Sequence, residues 1–220
     1  MPKLSFDPEL LPVESVGGEA PVEAARLSVD WLRRHFAAPP PWQPEALDES
    51  VVRRPVMIAA SVLIPLVVRP EGLTMLLTRR TDHLTTHAGQ ISFPGGRAEA
   101  YDHSPVDTAL REAQEEIGLA RRHVEIIGQL PDYLTGTGYH VTPVVGLLTP
   151  PFALAADAGE VAEIFEVPLA HLMNGAHHQR LSIDLPAGGR RSFYAMPYGR
   201  YFIWGATAGM LRNLFHFLRA

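Results

Sequence analysis

The stretch from Ser104 to Gly118, SPVDTALREAQEEIG, most constrains the fold because it marks both ends of one helix. Ser104 is a typical N-cap residue, and Pro105 suits the first helical position. Gly118 is typical of the residue that follows a helix. The pattern therefore predicts a helix from about Pro105 to Ile117.

One arc of this predicted helix is apolar and the neighbouring arc is acidic, at 100° per residue. The apolar arc contains Val106, Leu110, Ala113 and Ile117, and the acidic arc contains Glu112, Glu115 and Glu116. Like charges at this spacing repel by roughly 0.2–0.5 kcal/mol per pair. An acidic run usually forms a solvated face. Here the acids lie beside the apolar stripe, which favours a divalent cation site, since Mg²⁺ prefers oxygen ligands.

Strand-like runs flank this helix on both sides and predict a layered α/β fold. They are Val56–Val68 and Leu73–Arg80 around the turn RPEG, then QISF, HVEIIGQL, VTPVVGLL and EIFEVPL, and finally RLSIDL and RSFYAM around PAGG. The last segment, WGATAGMLRNLFHFLRA, has apolar residues on one side and predicts a terminal helix.

Residues 1–50 form a predicted N-terminal helical extension with a Pro-rich linker, and residues 51–220 form the predicted main domain. Within the extension, Val22, Leu27, Leu32 and Phe36 recur at approximately helical spacing. The segment APPPWQPEALDES then interrupts the helical pattern, and its consecutive prolines favour an extended linker.

Composition excludes several classes of protein. The formal net charge is −5, which lacks the basic footprint of a nucleic-acid binder. Cysteine is absent, so thiolate chemistry and disulfides are excluded. The longest apolar run is too short to span a membrane, and no signal peptide is evident. We expect a soluble, cytoplasmic protein without nucleic-acid or membrane partners.

The helix and the glycines before it resemble the Nudix box, in which a glycine and a loop precede R-E-apolar-x-E-E-x-G-apolar. The matching residues are Arg111, Glu112, Ala113, Glu115, Glu116, Gly118 and Leu119. The loop departs from the usual pattern, because Asp102 stands in place of Glu and eight residues, not seven, precede Arg111. The resemblance implies a Nudix-type α/β/α sandwich with a mixed central sheet.

A second stretch, LLTRRTDHLTTHAGQISFPGG, resembles the extended signature of coenzyme A pyrophosphatases. The matches are Leu76, Leu77, Thr78, Arg80, Gly89, Phe93, Pro94, Gly95 and Gly96. Two positions differ: Thr81 replaces Ser or Ala, and Thr85 replaces Arg. The second change matters more, because arginine binds phosphate bidentately and threonine does not.

The resemblance also implies roles for individual residues. Metal ligands to Mg²⁺ or Mn²⁺ would be Glu112, Glu115, Glu116 and the Gly96 carbonyl. Catalytic residues would be Glu115, Glu116 and Arg111, which holds a glutamate in place. The general base would come either from the box or from a distal loop, where Glu160 and Glu163 are the candidates and Glu160, at the loop end, is better placed. Substrate-binding residues would be Arg80, Arg79, His87 and Tyr139. Since consecutive strand residues face opposite ways, only one of Arg79 and Arg80 should face the site, and the signature favours Arg80.

The implied reaction is metal-dependent hydrolysis of coenzyme A, or a derivative of it, to phosphopantetheine and adenosine 3′,5′-bisphosphate. One alternative is a Nudix pyrophosphatase for ADP-ribose, a dinucleotide or an oxidised nucleotide. Another is a Nudix module that binds a ligand without turnover. The N-terminal helix and exposed strand edges could also serve a homodimer.

Overall fold

A computed structural model describes residues 6–45, 57–84, 87–184 and 189–220. The strands within these residues are β1 (Ser15–Val16), β2 (Ile58–Arg69), β3 (Gly72–Arg80), β4 (Ile91–Ser92), β5 (Gly95–Arg97), β6 (Val124–Gln129), β7 (Tyr133–Leu134), β8 (Tyr139–Leu148), β9 (Val161–Pro168), β10 (Gln179–Asp184), β11 (Arg190–Tyr198) and β12 (Tyr201–Trp204). The helices are α1 (Val29–Ala37), α2 (Pro105–Ile117), α3 (Leu169–Leu172) and α4 (Ala206–Arg219).

The larger sheet has the order β4-β3-β2-β8-β6, and β5, β7 and β9 pair with β2, β8 and β3. Strands β2 and β8 are parallel, whereas its other pairs are antiparallel, so the sheet is mixed. Helix α2 follows β2 and precedes β8 in the chain, and it covers one face of the sheet. Its Ala113 and Ile117 are fully buried in a cluster with Leu63, Leu76 and Val144.

Strands β2 and β3 diverge after the turn that joins them, and this divergence positions the glycines of the signature. The two strands pair with each other only next to the turn, from Leu66–Met75 to Arg69–Gly72. Further along, β4 pairs with the end of β3 and β5 pairs with the start of β2. The Pro94 carbonyl, between β4 and β5, accepts a 2.9 Å hydrogen bond from the Leu63 amide. The divergence thus brings the glycine loop beside α2.

A second layer covers the opposite face of the larger sheet. It contains α4, α1 and a four-stranded sheet of order β1-β10-β11-β12. Leu32 and Phe36 of α1 are buried, and the Phe36 ring lies 4.6 Å from the Phe217 ring of α4. The α/β sandwich with a mixed central sheet is confirmed. The separate small sheet was not predicted, because period-two patterns do not show which strands pair.

The N-terminal region is joined to α4 by buried charges as well as by apolar contacts. Arg212 of α4 is 6% exposed in its side chain and pairs with Glu19 and with Glu45, the latter at 3.2 Å. Its third partner is His178, at 3.0 Å. The predicted helix in this region is shorter than the pattern suggested, since a 3₁₀ turn over Ala24–Leu27 precedes α1. In the described part of the chain, no helix is long and apolar enough to cross a membrane.

Candidate active site

Helix α2 begins and ends where its sequence predicts. The Ser104 hydroxyl accepts a 3.1 Å hydrogen bond from the Asp107 amide, and Gly118 has a φ of 67°. Along the acidic arc the side-chain exposure rises from Glu116 (4%) to Glu112 (17%) and Glu115 (58%). The acidic arc therefore crosses the edge of the core instead of facing water throughout.

Arg111 is the centre of a hydrogen-bond network that ties the preceding loop to α2. Its Nε and Nη2 bind the two Asp102 carboxylate oxygens at 3.0 and 2.9 Å. Its Nη1 binds Glu112 at 2.8 Å and Glu115 at 2.9 Å, while Nη2 also reaches the Arg97 carbonyl at 2.9 Å. These contacts occupy all five guanidinium N–H donors. Arg111 thus orients two glutamates and has no donor left for substrate.

The carboxylate of the loop before α2, Asp102, accepts hydrogen bonds from Arg111 and holds it in place. It is 4% exposed in its side chain, and it also accepts bonds from the Glu99 amide and the Thr108 hydroxyl, each at 3.0 Å. The Arg111 guanidinium lowers the pKa of Asp102 well below its ordinary value. The longer loop and the change from Glu to Asp therefore still allow a carboxylate to hold the box arginine.

The two glycines of FPGG contact the two most buried glutamates of the arc. The Gly95 amide donates a 3.2 Å hydrogen bond to Glu116 Oε2. A Cβ atom added at Gly96 would lie 2.6 Å from the carboxylate atoms of Glu112. The backbone at Gly96 and the Glu112 carboxylate are therefore close enough to share one ligand.

Burial changes the acidity of both of these glutamates. Burial raises the pKa of Glu116 to about 8, and the negative charges of Glu112 and Glu160 add to this effect. The Gly95 amide and Arg80 act in the opposite direction. Burial also raises the pKa of Glu112, against the opposing effect of Arg111. Several carboxylates held together in low-polarity surroundings favour the binding of a cation.

Arg80 lies among these carboxylates, whereas Arg79 faces the other way. Arg80 Nη1 lies 3.6 Å from Glu116, and its Nη2 lies 3.9 Å from Glu160. Its Nε is buried and has no hydrogen-bond partner among the described residues. Arg79 instead contacts Asp82 at 3.4 Å. This arrangement follows from the alternation of side chains along β3.

Glu160 is held beside the site by backbone contacts from two elements. The Asp157 amide donates to the Glu116 carbonyl at 2.9 Å, at the end of α2. The Thr81 amide donates to the Glu160 carbonyl at 2.9 Å, and the Thr81 hydroxyl donates to the Gly159 carbonyl at 3.3 Å. The second acid of this segment, Glu163, is outside the site, since it binds Arg200 and Tyr201.

The remaining predicted substrate residues do not contact the glutamates in the described part of the chain. His87 is exposed, has a φ of 57° and contacts the Gln90 amide oxygen at 2.7 Å. Tyr139 packs partly buried against the core on the face opposite α2. Thr85 lies outside the described residues.

Two groups that build the site are not evident from the sequence. The first is the Gly95 amide, a backbone group that side-chain patterns do not reveal. Its position next to Gly96 in the signature is the available signal. Thr81 was considered a mild departure, yet it is 6% exposed and bonds the loop that carries Glu160. A polar residue at the end of an apolar strand was the available signal.

Comparisons with known proteins identify the family. The NUDIX domain model matches residues 57–183. The protein called Uncharacterized Nudix hydrolase NudL, from Yersinia pestis (strain Pestoides F), is 43% identical over 155 residues, which cover 70% of this chain and 77% of the relative.

Among solved structures, a MutT/nudix family protein from Enterococcus faecalis aligns with a TM-score of 0.46 and 17% identity, over 84% of this chain and 73% of that one. The NUDIX domain of Shewanella oneidensis NrtR, solved with ADP ribose, aligns with a TM-score of 0.41 and 19% identity. The alignment covers 62% of this chain and 82% of that one.

The chain belongs to the Nudix family, and it is a pyrophosphohydrolase. Nudix hydrolases generally use divalent metal ions, and the donor set here suits such an ion. Carboxylate and carbonyl oxygens are hard ligands, and Mg²⁺ commonly takes one or two carboxylates together with waters and substrate phosphates. Within the described residues, no three acidic or histidine side chains already enclose a metal position. The most exposed glutamate of the arc, Glu115, is bound to Arg111 instead.

Proposed function

We propose that the enzyme hydrolyses the diphosphate bond of coenzyme A, or of its derivatives, to phosphopantetheine and adenosine 3′,5′-bisphosphate. One observation carries the site assignment: Arg80 lies between Glu116 and Glu160, at 3.6 and 3.9 Å. A cation and clustered carboxylates at one point suit a bound metal and a diphosphate together. The choice of coenzyme A rests on the signature that contains Arg80 and ends at Gly96.

The proposed metal is Mg²⁺ or Mn²⁺, held by Glu112, Glu116 and the Gly96 carbonyl, with Glu115 completing the set. The bound ion would neutralise the diphosphate and lower the pKa of a water molecule. Burial of Glu112 and Glu116 supports this assignment, since buried carboxylates gain most from a nearby cation. For Glu115 to take part, it would exchange its contact with Arg111 for the ion.

The side chains around these ligands have distinct proposed roles. Arg80 binds diphosphate oxygens, since its Nε has no partner in the described residues and an arginine fork matches phosphate oxygens. Arg111 holds Glu112 and Glu115 in their orientations. Glu160 accepts the proton of the attacking water, because its side chain is half exposed and its backbone is fixed.

A second substrate class stays open for a specific reason. Thr85 stands where the coenzyme A signature usually has Arg. ADP-ribose, dinucleotides and oxidised nucleotides contain the same scissile diphosphate and could occupy the same carboxylate and arginine cluster. Turnover of one of these compounds, without turnover of coenzyme A, would contradict the proposed substrate but retain the reaction class.

The test is a panel of nucleoside diphosphate derivatives incubated with the protein, with and without Mg²⁺. We expect metal-dependent release of adenosine 3′,5′-bisphosphate from coenzyme A. The Glu116→Gln variant should lose activity by about 100-fold or more, because it removes a buried anionic ligand. Glu125→Gln, which alters an exposed ion pair with Arg33, should keep wild-type turnover. An active Glu116→Gln protein would contradict the assigned site.

A further inference from the structure

The turn at residues 157–160 ends at Glu160 and is closed by its own hydrogen bonds. The Asp157 carbonyl accepts from the Glu160 amide at 3.0 Å and from the Val161 amide at 2.8 Å. The Asp157 carboxylate accepts from the Gly159 amide at 2.7 Å. An Asp side chain that bonds the backbone two residues further on is a common way of fixing a turn. The turn therefore moves as one unit, whose position depends on what holds its two ends.

Each end of this turn is bonded to an element that carries part of the glutamate cluster. At the first end, the Asp157 amide donates to the carbonyl of Glu116, the next-to-last residue of α2, at 2.9 Å. At the other end, the Thr81 amide donates to the Glu160 carbonyl at 2.9 Å. The Thr81 hydroxyl donates to the Gly159 carbonyl at 3.3 Å. The turn thus connects α2 to the residue that follows β3, and Thr81 supplies two bonds to its second end.

A register shift in the pairing of β3 with β9 determines where this second attachment falls. Arg80 lies opposite Val161, and the shift leaves Ala162 without an opposite residue in β3. In a regular ladder Thr81 would lie opposite Val161, but the shift brings it level with Glu160. Bulges of this kind re-aim side chains and are common beside active sites. The sheet therefore places Thr81 at the end of the turn.

The Glu160 side chain has weaker support than its backbone. It is 52% exposed, and its ion pair in the described part of the chain is with Arg80 at 3.9 Å. Exposed ion pairs hold long side chains only weakly. The reach of this carboxylate towards the other glutamates therefore depends on where its backbone lies. Thr81, in contrast, is 6% exposed, so packing holds its hydroxyl in place.

We propose that Thr81 is a positioning residue, which fixes the backbone at Glu160 so that this carboxylate reaches the water that attacks the diphosphate. The inference rests on the proposed function, in which Glu160 is the general base, and it adds the residue through which that base is placed. A displacement of about 1 Å at a reacting group can lower a rate about 100-fold. A buried hydroxyl that never touches the substrate can therefore control turnover.

The experiment is a double-mutant cycle on the full-length protein with Mg²⁺, run in parallel on coenzyme A and on ADP-ribose. Thr81→Val removes the hydroxyl and keeps a branched side chain. We expect it to lower kcat about tenfold and to leave KM within about twofold of wild type. Glu160→Gln should lower kcat about 100-fold. In that background Thr81→Val should lower kcat further by no more than about twofold, because Thr81 then has no base to position.

Two other variants of the same turn make the test independent of the fold of Thr81→Val. Thr81→Ser keeps the hydroxyl and should recover most of the turnover that Thr81→Val loses. Asp157→Ala is an exposed change that loosens the turn from within, because it removes the acceptor of the Gly159 amide. It should lower kcat in the wild-type background and, like Thr81→Val, should have little further effect beside Glu160→Gln.

Thr207→Val is the matched control. Thr207 is also 6% exposed, and its hydroxyl donates to the Ile91 carbonyl at 2.9 Å. It belongs to α4, in the layer on the opposite face of the larger sheet. We expect Thr207→Val and Thr81→Val to lower the melting temperature by similar amounts, but only Thr81→Val should lower kcat. The affinity for Mn²⁺, measured by calorimetry, should stay within about twofold of wild type in both variants, since neither residue is a proposed ligand.

The possible results separate this inference from the proposed function. An equal fall in kcat on Thr81→Val in both backgrounds would overturn the positioning role. Wild-type kcat in Thr81→Val beside an impaired Glu160→Gln would overturn it as well, and both results would leave the proposed function standing. Wild-type kcat in Glu160→Gln would remove the general base and the positioning role together. Hydrolysis of ADP-ribose alone, with the expected cycle, would contradict the proposed substrate and support the positioning role.

Discussion

Three arginines near α2 and the end of β3 differ in the partners that their guanidinium groups contact. Arg111 has all its donors occupied by the protein, so it can orient glutamates but cannot bind substrate. Arg80 has a buried Nε without a partner in the described residues and faces two carboxylates. Arg79 contacts Asp82 at 3.4 Å, lies opposite Glu163 on the neighbouring strand and lines another cleft. Residue type alone does not separate these arginines, since they differ in which groups each guanidinium contacts, and the partners of Arg80, Glu116 and Glu160, are distant in sequence.

Gly96→Ala tests the close approach of the backbone to Glu112. The added Cβ would lie 2.6 Å from the Glu112 carboxylate, which must move away from its position beside the loop. We expect kcat to fall by about tenfold or more, because the Gly96 carbonyl and Glu112 are both proposed ligands of one metal ion. Thermal unfolding should change little, since a flexible side chain can shift. Activity equal to that of the wild type would show that the two groups do not act together.

The neighbouring glycine provides the matched control. A Cβ at Gly95 would lie 2.6 Å from the Val62 Cα and closer still to the Ser61 carbonyl. These are backbone atoms of β2, which cannot move without breaking the pairing between β5 and β2. Gly95→Ala should therefore lower the melting temperature, whereas Gly96→Ala should lower activity.

At the scale of elements, the sequence predicted α2 closely and predicted the strand QISF, which is observed as β4, but it did not predict β5. The cap, the first-turn proline and the final glycine of α2 are local signals, and the observed helix agrees with them. Strands β4 and β5 have only two and three residues. They pair with β3 and β2 because these two strands diverge and leave backbone groups to pair, and no local pattern shows that divergence. The arc of glutamates was predictable because helical spacing is also a local signal. The contacts of these glutamates with Gly95 and Gly96 were not predictable, because they depend on how the loop packs against α2.

The contact between α4 and the segment before β10 makes stability depend on pH. His178 is fully buried; its Nε2 donates to the Leu172 carbonyl at 2.7 Å, and its Nδ1 accepts from Arg212 at 3.0 Å. Burial lowers the pKa of His178 to about 4, and Arg212 and His177 act in the same direction, against Glu19. The folded protein therefore keeps this imidazole neutral at pH values where the unfolded chain is protonated.

We expect the free energy of unfolding to decrease as pH falls from about 6.5 to 4, because the unfolded state takes up the proton first. The contribution of His178 should be about 3 kcal/mol, measured by urea unfolding at several pH values. His178→Gln should be less stable at pH 7 but should show a flatter dependence over this range. Parallel pH profiles for the two proteins would contradict the assignment.

At the scale of the whole molecule, the described part of the N-terminal region packs within the common core. Val22, Leu32 and Phe36 belong to the cluster that also contains α4 and the larger sheet. The NUDIX domain model begins only at residue 57. The predicted boundary at residue 50 remains a prediction, yet residues on both sides of it contribute to one apolar cluster.

Phe36→Ala measures how far this region contributes to the stability of the enzyme. The ring is buried against Phe217, so its removal should lower the free energy of unfolding by about 3–5 kcal/mol. Leu10→Ala, in the same region but 81% exposed, should change it by less than about 0.5 kcal/mol. Both free energies are measured by denaturant unfolding. We expect a single transition if the two layers unfold together. A small effect of Phe36→Ala would indicate that α1 is separable.

The small sheet has a consequence for how the chain folds during its synthesis. Strand β1 pairs with β10, which comes much later in the sequence: Ser15 lies opposite Arg180. Arg26 likewise donates to the Leu218 carbonyl near the end of α4. A ribosome makes the N-terminal strand well before its partners. The early segment must therefore stay unpaired until β10 and α4 have been made, so the mature packing of this region waits for segments that are synthesised much later.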